Sequence, residues 1–260
     1  MREKTIIIKK DQSISTVLLN RPSMMNSFND ELVDDLMEAL LELKNDDETR
    51  VIVLTGMGKA FSAGGDLLHL VKIDNAVDAK KFIAQAGDII QTIMTMDKPI
   101  VAMVNGVAAG AGFNIALACD IIFCSKAAKF AQSFVKVGLV PDCGGNYLLP
   151  RVVGLQKAKE LMFTADLIDS EEALKLGIVN YVCEPDDLDK TTYKFAERLS
   201  TSAPAAIGAM KKLINRTYEL SLETVLELEA DLQALCMLTE DHKEGVAAFK
   251  EKRLPNFHGK

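Results

Sequence analysis

Two runs of almost unbroken apolar residues, Val51-Ile52-Val53-Leu54-Thr55 and Ile100-Val101-Ala102-Met103-Val104, each lead into a glycine-bearing loop. A strand with no polar alternation has both faces covered, which belongs to a sheet carrying helices rather than to one open to water. Helical spacing recurs on either side of the runs. Leu32, Leu36, Leu40 and Leu43 follow a cap at Asn29 or Asp30, and Phe82, Ile89, Ile90 and Ile93 mark a helix over 76–96. Strand, loop, helix and strand in this order predict an α/β fold.

The rest of the chain fits the same frame. TIIIKK and ISTVLLN read as two strands split at Asp11-Gln12-Ser13, and Arg21-Pro22 ends the second. Pro99 opens the strand PIVAMVNG, a helix begins over 112–119, and 120–124 and 130–132 read as further strands. Past Pro150 the pattern turns helical, with segments expected over 156–163, 170–176, 187–201, 205–218, 221–238 and 240–252. This divides the chain into an α/β core, residues 1–200, and a helical C-terminal region, residues 201–260, joined at Ser202-Ala203-Pro204.

Several function classes lose support at this stage. A formal charge of −7 disfavours nucleic acid, whose phosphates need clustered Lys and Arg. No apolar run approaches the roughly 20 residues that span a bilayer. The segment MREKTIIIKKDQ is too short in apolar residues for a secretory signal, so a cytoplasmic location is expected. The five cysteines show no CxxC spacing, and His69, His242 and His258 lie far apart, so no metal site is expected. Gly56-Met57-Gly58-Lys59-Ala60 fails as a phosphate-binding loop because Ala60 replaces the hydroxyl residue. Ile115 removes the third glycine of a dinucleotide fingerprint.

Three small-residue loops remain: 61–67 (FSAGGDL), 106–112 (GVAAGAG) and 141–145 (PDCGG). Small residues beyond strand ends let backbone N–H groups approach a ligand, and two such groups on one oxygen make an oxyanion hole. Tight turns alone would also account for them. Asp142 is a lone acid in an apolar, glycine-bordered segment, read either as a proton carrier or as the cap of a helix starting near Gly144.

Taken together and in order, NRPSMMNSF, KAFSAGGDL, NGVAAGAGFNIALACDI, KVGLVPDCGG and FTADLIDSEEALKLGIVNYV resemble the enoyl-CoA hydratase/isomerase (crotonase) superfamily, from about Thr5 to Phe257. The resemblance implies a ClpP/crotonase-like spiral of ββα units with a C-terminal helical trimerisation region, assembled as a homotrimer or as a homohexamer built from two trimers. It implies an acyl-CoA thioester as substrate, with coenzyme A part of that substrate and no separate cofactor. By motif position the oxyanion donors are Ala63 and Ala111. The CoA path takes Arg21, Met24, Met25, Ala63, Asp66 and Leu67, with Gly110 beside the reacting group. Phe249 and Lys252 close a neighbouring subunit's CoA site.

The two glutamates that hydratases of this superfamily use for water addition correspond here to Asn114 and Phe134. Neither cycles a proton near neutral pH. Asn114 either orients a group or fills space. Asp142 falls where single-acid acyl-CoA isomerases carry their acid, both those that shift a double bond from Δ3 to Δ2 and the phenylacetate-pathway type that rearranges a ring epoxide. The resemblance therefore points to an isomerase with Asp142 as proton shuttle, its acidity weakened by an apolar pocket. An enoyl-CoA hydratase of fatty-acid β-oxidation, a hydrolase or decarboxylase on the same scaffold, and a non-catalytic acyl-CoA- or RNA-binding paralogue stand as alternatives.

Overall fold

The computed structural model describes residues 4–260, and residues 1–3, the basic start of the chain, lie outside the described residues. The first hairpin is β1 (Ile6–Asp11) and β2 (Ile14–Leu19), paired antiparallel with Ile6 opposite Leu19. Helix α1 (Asp30–Lys44) starts at Asn29, whose side chain accepts from the Leu32 amide, and it buries Leu32, Leu36, Leu40 and Leu43. The chain then repeats one manoeuvre three times. It runs β3 (Val51–Gly56), β4 (Ala60–Ser62), a short α2 (Leu67–Leu70) and α3 (Ala76–Thr95). It runs next β5 (Ile100–Val104), β6 (Val107–Ala109) and α4 (Ala111–Ala118). It closes with β7 (Ile121–Ser125), β8 (Lys129–Ala131) and, after a loop, α5 (Gly145–Val153).

The remainder is α6 (Leu155–Thr164), β9 (Ile168–Asp169), α7 (Ser170–Lys175), β10 (Tyr181–Cys183), α8 (Leu188–Ser200), α9 (Pro204–Ile214), α10 (Leu222–Met237) and α11 (Glu240–Glu251). The strands form two sheets, ordered β1-β2-β3-β5-β7-β10 and β4-β6-β8-β9. Each repeat thus contributes one strand to the large sheet, one to the small sheet, and then a helix, which is a spiral of ββα units. Among the described residues no helix is long and apolar enough to cross a membrane.

The apolar runs are explained by burial on both faces. Ile52 and Leu54 belong to the main core with α1 and α3, while Val51 and Val53 pack with Val101, Met103 and Phe123 under α8, against Tyr193, Phe195 and Leu199. The two sheets meet through glycine. A Cβ on Gly106 would lie 2.0 Å from the Lys59 carbonyl oxygen, so no other residue lets β5 turn into β6. Phe61, Ala108 and Phe130 of the small sheet are fully buried, which seals that junction.

The C-terminal helices are anchored from α9. Lys211 reaches the Asp120 carboxylate at 2.7 Å and the Lys98 carbonyl at 3.0 Å, and Asn215 donates to the Met94 carbonyl. Burial raises the Asp120 pKa and Lys211 opposes it. Residues 201–203 link α8 to α9. Helix α10 buries no residue, and Leu222, Leu226, Leu235 and Leu238 are exposed on or beside it.

Boundaries differ from expectation in identifiable places. The strand expected over 130–132 is β8 (Lys129–Ala131), which leaves Gln132 outside the ladder. The helical character expected past Pro150 begins earlier, because α5 carries Pro150 inside it. The helix expected over 205–218 stops at Ile214 and gives way to a 3-10 turn at Thr217–Glu219.

Candidate active site

The first two small-residue loops are held against one another by their lack of side chains. Gly64 has φ +93°, and a Cβ there would lie 2.7 Å from the Ala109 carbonyl oxygen and 3.4 Å from the Ala111 nitrogen. On Gly112 a Cβ would lie 2.5 Å from the Ser62 carbonyl oxygen. The start of α4 is therefore pressed onto the end of β4, an approach only glycine permits. Phe28 stitches the outer side: its amide donates to the Gly64 carbonyl at 2.7 Å, and its carbonyl accepts from the Asp66 amide at 2.9 Å.

This stitching decides which amides are available. The Ala63 N–H donates to the Met25 carbonyl at 2.9 Å, so the donor expected from motif position is already engaged. The amide two residues along, that of Gly65, is not engaged in this way. Among the described residues nothing accepts from the Gly65 amide, nor from the Ala111 amide in the first turn of α4, where helix N–H groups have no partner within the helix. Gly65 and Gly110 both line one cavity of about 370 Å³.

The acid enters that cavity from a third side. A 3-10 turn at Ser133–Val137 ends on Gly138 in the left-handed region, and Asp142 follows in the segment leading to α5. This loop follows a turn, not a strand as its sequence suggested. Asp142 lines the cavity, and its Oδ1 is buried with no hydrogen-bond partner. Burial pushes its pKa above the ordinary carboxylate range, opposed in part by the Cys143 thiol and the residue's own amide. The capping alternative fails, because α5 is capped by Gly144 with no side-chain hydrogen bond. Cys143 is itself buried, and its thiol pKa is pushed up by the same desolvation, which leaves it a weak nucleophile.

Met24, Ala63, Asp66, Leu67, Gly110, Phe134 and Asp142 all line the cavity. Asp66 also caps α2 through the Leu68 and His69 amides and pairs with Arg21 at 3.0 Å. Arg21 donates to the Ser27 carbonyl as well, so its guanidinium is held in the wall. Met25 is exposed in the left-handed region, and its carbonyl holds Ala63. The Phe134 ring lies 3.6 Å from where a Gly110 Cβ would stand. The ring packs over that loop as an apolar wall of the cavity.

Arg21, Met25 and Ala111 flank the cavity without lining it, and Asn114, Phe249 and Lys252 lie away from it. Asn114 is fully buried, and both ends of its amide are bonded to protein, to the Asp142 carbonyl at 2.8 Å and to Gln132 at 2.7 Å. It contacts the acid's backbone and not the cavity. Phe249, 86% exposed, lines a different groove between α9 and α11, and Lys252 is the exposed left-handed residue ending α11.

Sequence reasoning missed Gly65, Gln132 and Lys136. Gly65 lies inside a recognised motif, but nothing in the letters says which amide a neighbour has taken. Gln132 and Lys136, the latter on the cavity wall, carry no local signal. The unbonded Gly65 amide and one weakened acid share a largely apolar cavity, and the unbonded Ala111 amide follows directly on Gly110 of its wall. That combination can steady negative charge on an oxygen and carry a proton.

The whole chain has relatives. Residues 9–260 match the family model for enoyl-CoA hydratase/isomerase. The chain is 36% identical over 254 residues to a short-chain-enoyl-CoA hydratase of Clostridium acetobutylicum, covering 97% of each. It is 38% identical over 263 residues to the 1,2-epoxyphenylacetyl-CoA isomerase of Escherichia coli K12, covering 98% of each. A crystal structure of an enoyl-CoA hydratase from Bacillus anthracis superposes with a TM-score of 0.95 at 30% identity, covering 98% of this chain and 100% of that one.

Proposed function

The chain belongs to the enoyl-CoA hydratase/isomerase family, and within it we propose that it is an acyl-CoA isomerase in which Asp142 shuttles a proton beneath an oxyanion hole made by the Gly65 and Ala111 amides. The observation that carries this reading is the isolation of the acid. Asp142 stands in an apolar cavity with Oδ1 unpartnered, while the two positions matching hydratase carboxylates hold a fully committed Asn114 and a Phe134 ring.

For a 3-enoyl thioester the steps balance with one acid. The Asp142 carboxylate takes the proton from C2, the C2–H pair moves toward the thioester carbonyl, and the resulting dienolate places negative charge on its oxygen. The two amides stabilise that charge. The same carboxyl returns the proton at C4, leaving the 2-enoyl thioester with no net gain or loss. Ring-epoxide rearrangement on the same oxyanion site is the related reaction. Met24, Leu67, Leu68 and Leu70 supply the apolar wall for the thioester arm. The exposed apolar residues of α10 and the exposed Phe249 of α11 support assembly into a trimer or hexamer, in which Phe249 and Lys252 would reach a neighbour's CoA.

Incubation with a 3-enoyl-CoA is expected to raise the ultraviolet absorbance of the conjugated enoyl thioester, while crotonyl-CoA loses its absorbance only slowly. Fast loss with crotonyl-CoA and none of the expected gain would establish the hydratase reading instead. The sign of the pH dependence is fixed by burial. The base form of Asp142 is required, and its pKa is raised. The acid limb of kcat/KM for migration is therefore expected above the ordinary carboxylate range, with activity lost as pH falls through it.

A further inference from the structure

We infer that Gln132 and Asn114 form a positioning clamp that fixes the Asp142 carboxyl through its backbone and adds no hydrogen bond of its own to the carboxyl. The inference rests on the isomerase reading of the same site.

The hydrogen bonds admit one orientation. The Asp142 carbonyl can only accept, so Asn114 must turn Nδ2 toward it, at 2.8 Å. Asn114 Oδ1 then faces away and needs a donor, which is Gln132 Nε2 at 2.7 Å. Gln132 Oε1 is left over, buried and without a partner among the described residues. Gln132 is 1% exposed and immediately precedes the turn that carries Phe134. The Asp142 carbonyl also accepts from the Gly145 amide at 2.9 Å, so it is held from two directions. The Asn114 amide fills the space beside Gly145, where a Cβ would lie 2.4 Å from Nδ2.

The chemical reason for such a device is a conflict in the acid's task. A hydrogen bond to the carboxylate would orient it but would also stabilise the anion and weaken it as a base. Holding the carbonyl one bond away from Cα orients the residue without that cost. A buried amide chain serves this role because each link has one donor and one acceptor that fit in only one sense.

Two isosteric variants test the clamp. Asn114→Asp replaces the donor facing the carbonyl with an acceptor. Gln132→Glu removes the donor that holds Asn114 Oδ1, so Asn114 is expected to rotate and offer its oxygen to the Asp142 carbonyl. In both, kcat for double-bond migration is expected to fall about 10²-fold, the effect of a displacement near 1 Å. KM should change little, and circular-dichroism melting should show a folded chain. In an Asp142→Asn background, Asn114→Asp should cause no further loss of the residual rate, because the clamp acts through the carboxyl.

An unchanged kcat in either folded variant overturns the inference. So does an equal loss in the Asp142→Asn background, or failure of both variants to fold, which would make the pair a packing element alone. If the wild-type protein catalyses hydration and no migration, the isomerase reading fails by itself. The clamp is then judged from crystal structures of the two variants. Movement of the Asp142 segment upholds it, and an unmoved segment overturns it.

Discussion

Replacing Asp142 with Asn is expected to lower kcat for double-bond migration by about 10³-fold or more, near the upper range for removal of a general base, with CoA-ester binding retained. The amide matches the carboxyl in shape but cannot take the C2 proton. Retained wild-type turnover in this variant would end the assignment. Stability should move the other way. In the folded chain the Asp142 pKa is raised by burial, so folding favours the protonated form and is opposed at pH values above the shifted titration. A neutral Asn escapes that opposition. The variant should therefore melt no lower than wild type at neutral pH, and any advantage should vanish as pH falls through the Asp142 titration. Calorimetry across that range, beside the kinetic assay, reads both effects.

The second large effect is expected at Gly64. Substitution by Ala meets two obstacles at once, a φ of +93° that side chains seldom adopt and a Cβ 2.7 Å from the Ala109 carbonyl oxygen. Because that contact separates the Gly65 amide from the Ala111 amide, relief of the clash must spread the two donors. Loss of one oxyanion donor is worth about 10²–10³-fold in kcat, and Gly64→Ala is expected in that range. Backbone strain should add a stability loss of about 1–3 kcal/mol. Gly177→Ala is the matched control. It has φ +73° with no atom within 4 Å of its Cβ position, and it follows α7 away from the cavity. The control should lose about 1–2 kcal/mol of stability in urea and keep its kcat. Equal kinetics for both variants would show that the contact between the loops does not set the donors.

The large sheet was readable because its strands carry a signal of their own. Val51 to Thr55 and Ile100 to Val104 are buried on both faces, and a continuous apolar run is what such a strand must be. The small sheet was readable only at β8, expected over 130–132. Its strands β4, β6 and β8 have three residues each and β9 has two, too short for any period, and they exist because glycines bring the loops together. The site divides in the same way. Asp142 announced itself as an acid among apolar neighbours, and the loops as runs of small residues. Which amide in FSAGGDL remains free depends on the Met25 carbonyl and the Phe28 bridge, and both are settled only by tertiary contact. Asn114 was left between orienting a group and filling space; it packs against Gly145 and donates to the Asp142 carbonyl. Gln132 could not be found, since a buried glutamine at the end of a short strand looks like any other.

The closeness of Asn114 to Gly145 also bears on how this chain could have arisen and how it could be re-engineered. A glutamate at position 114 is longer than asparagine and would stand at a fully buried position, while placing an acceptor before the Asp142 carbonyl. A carboxylate at position 134 would have to replace a ring packed over Gly110. The first change disturbs the residue to which the proposed isomerase reading assigns the proton. On the proposed isomerase reading, positions 114, 132 and 142 are coupled by hydrogen bonds, so a change at one is expected to alter the effect of a change at another.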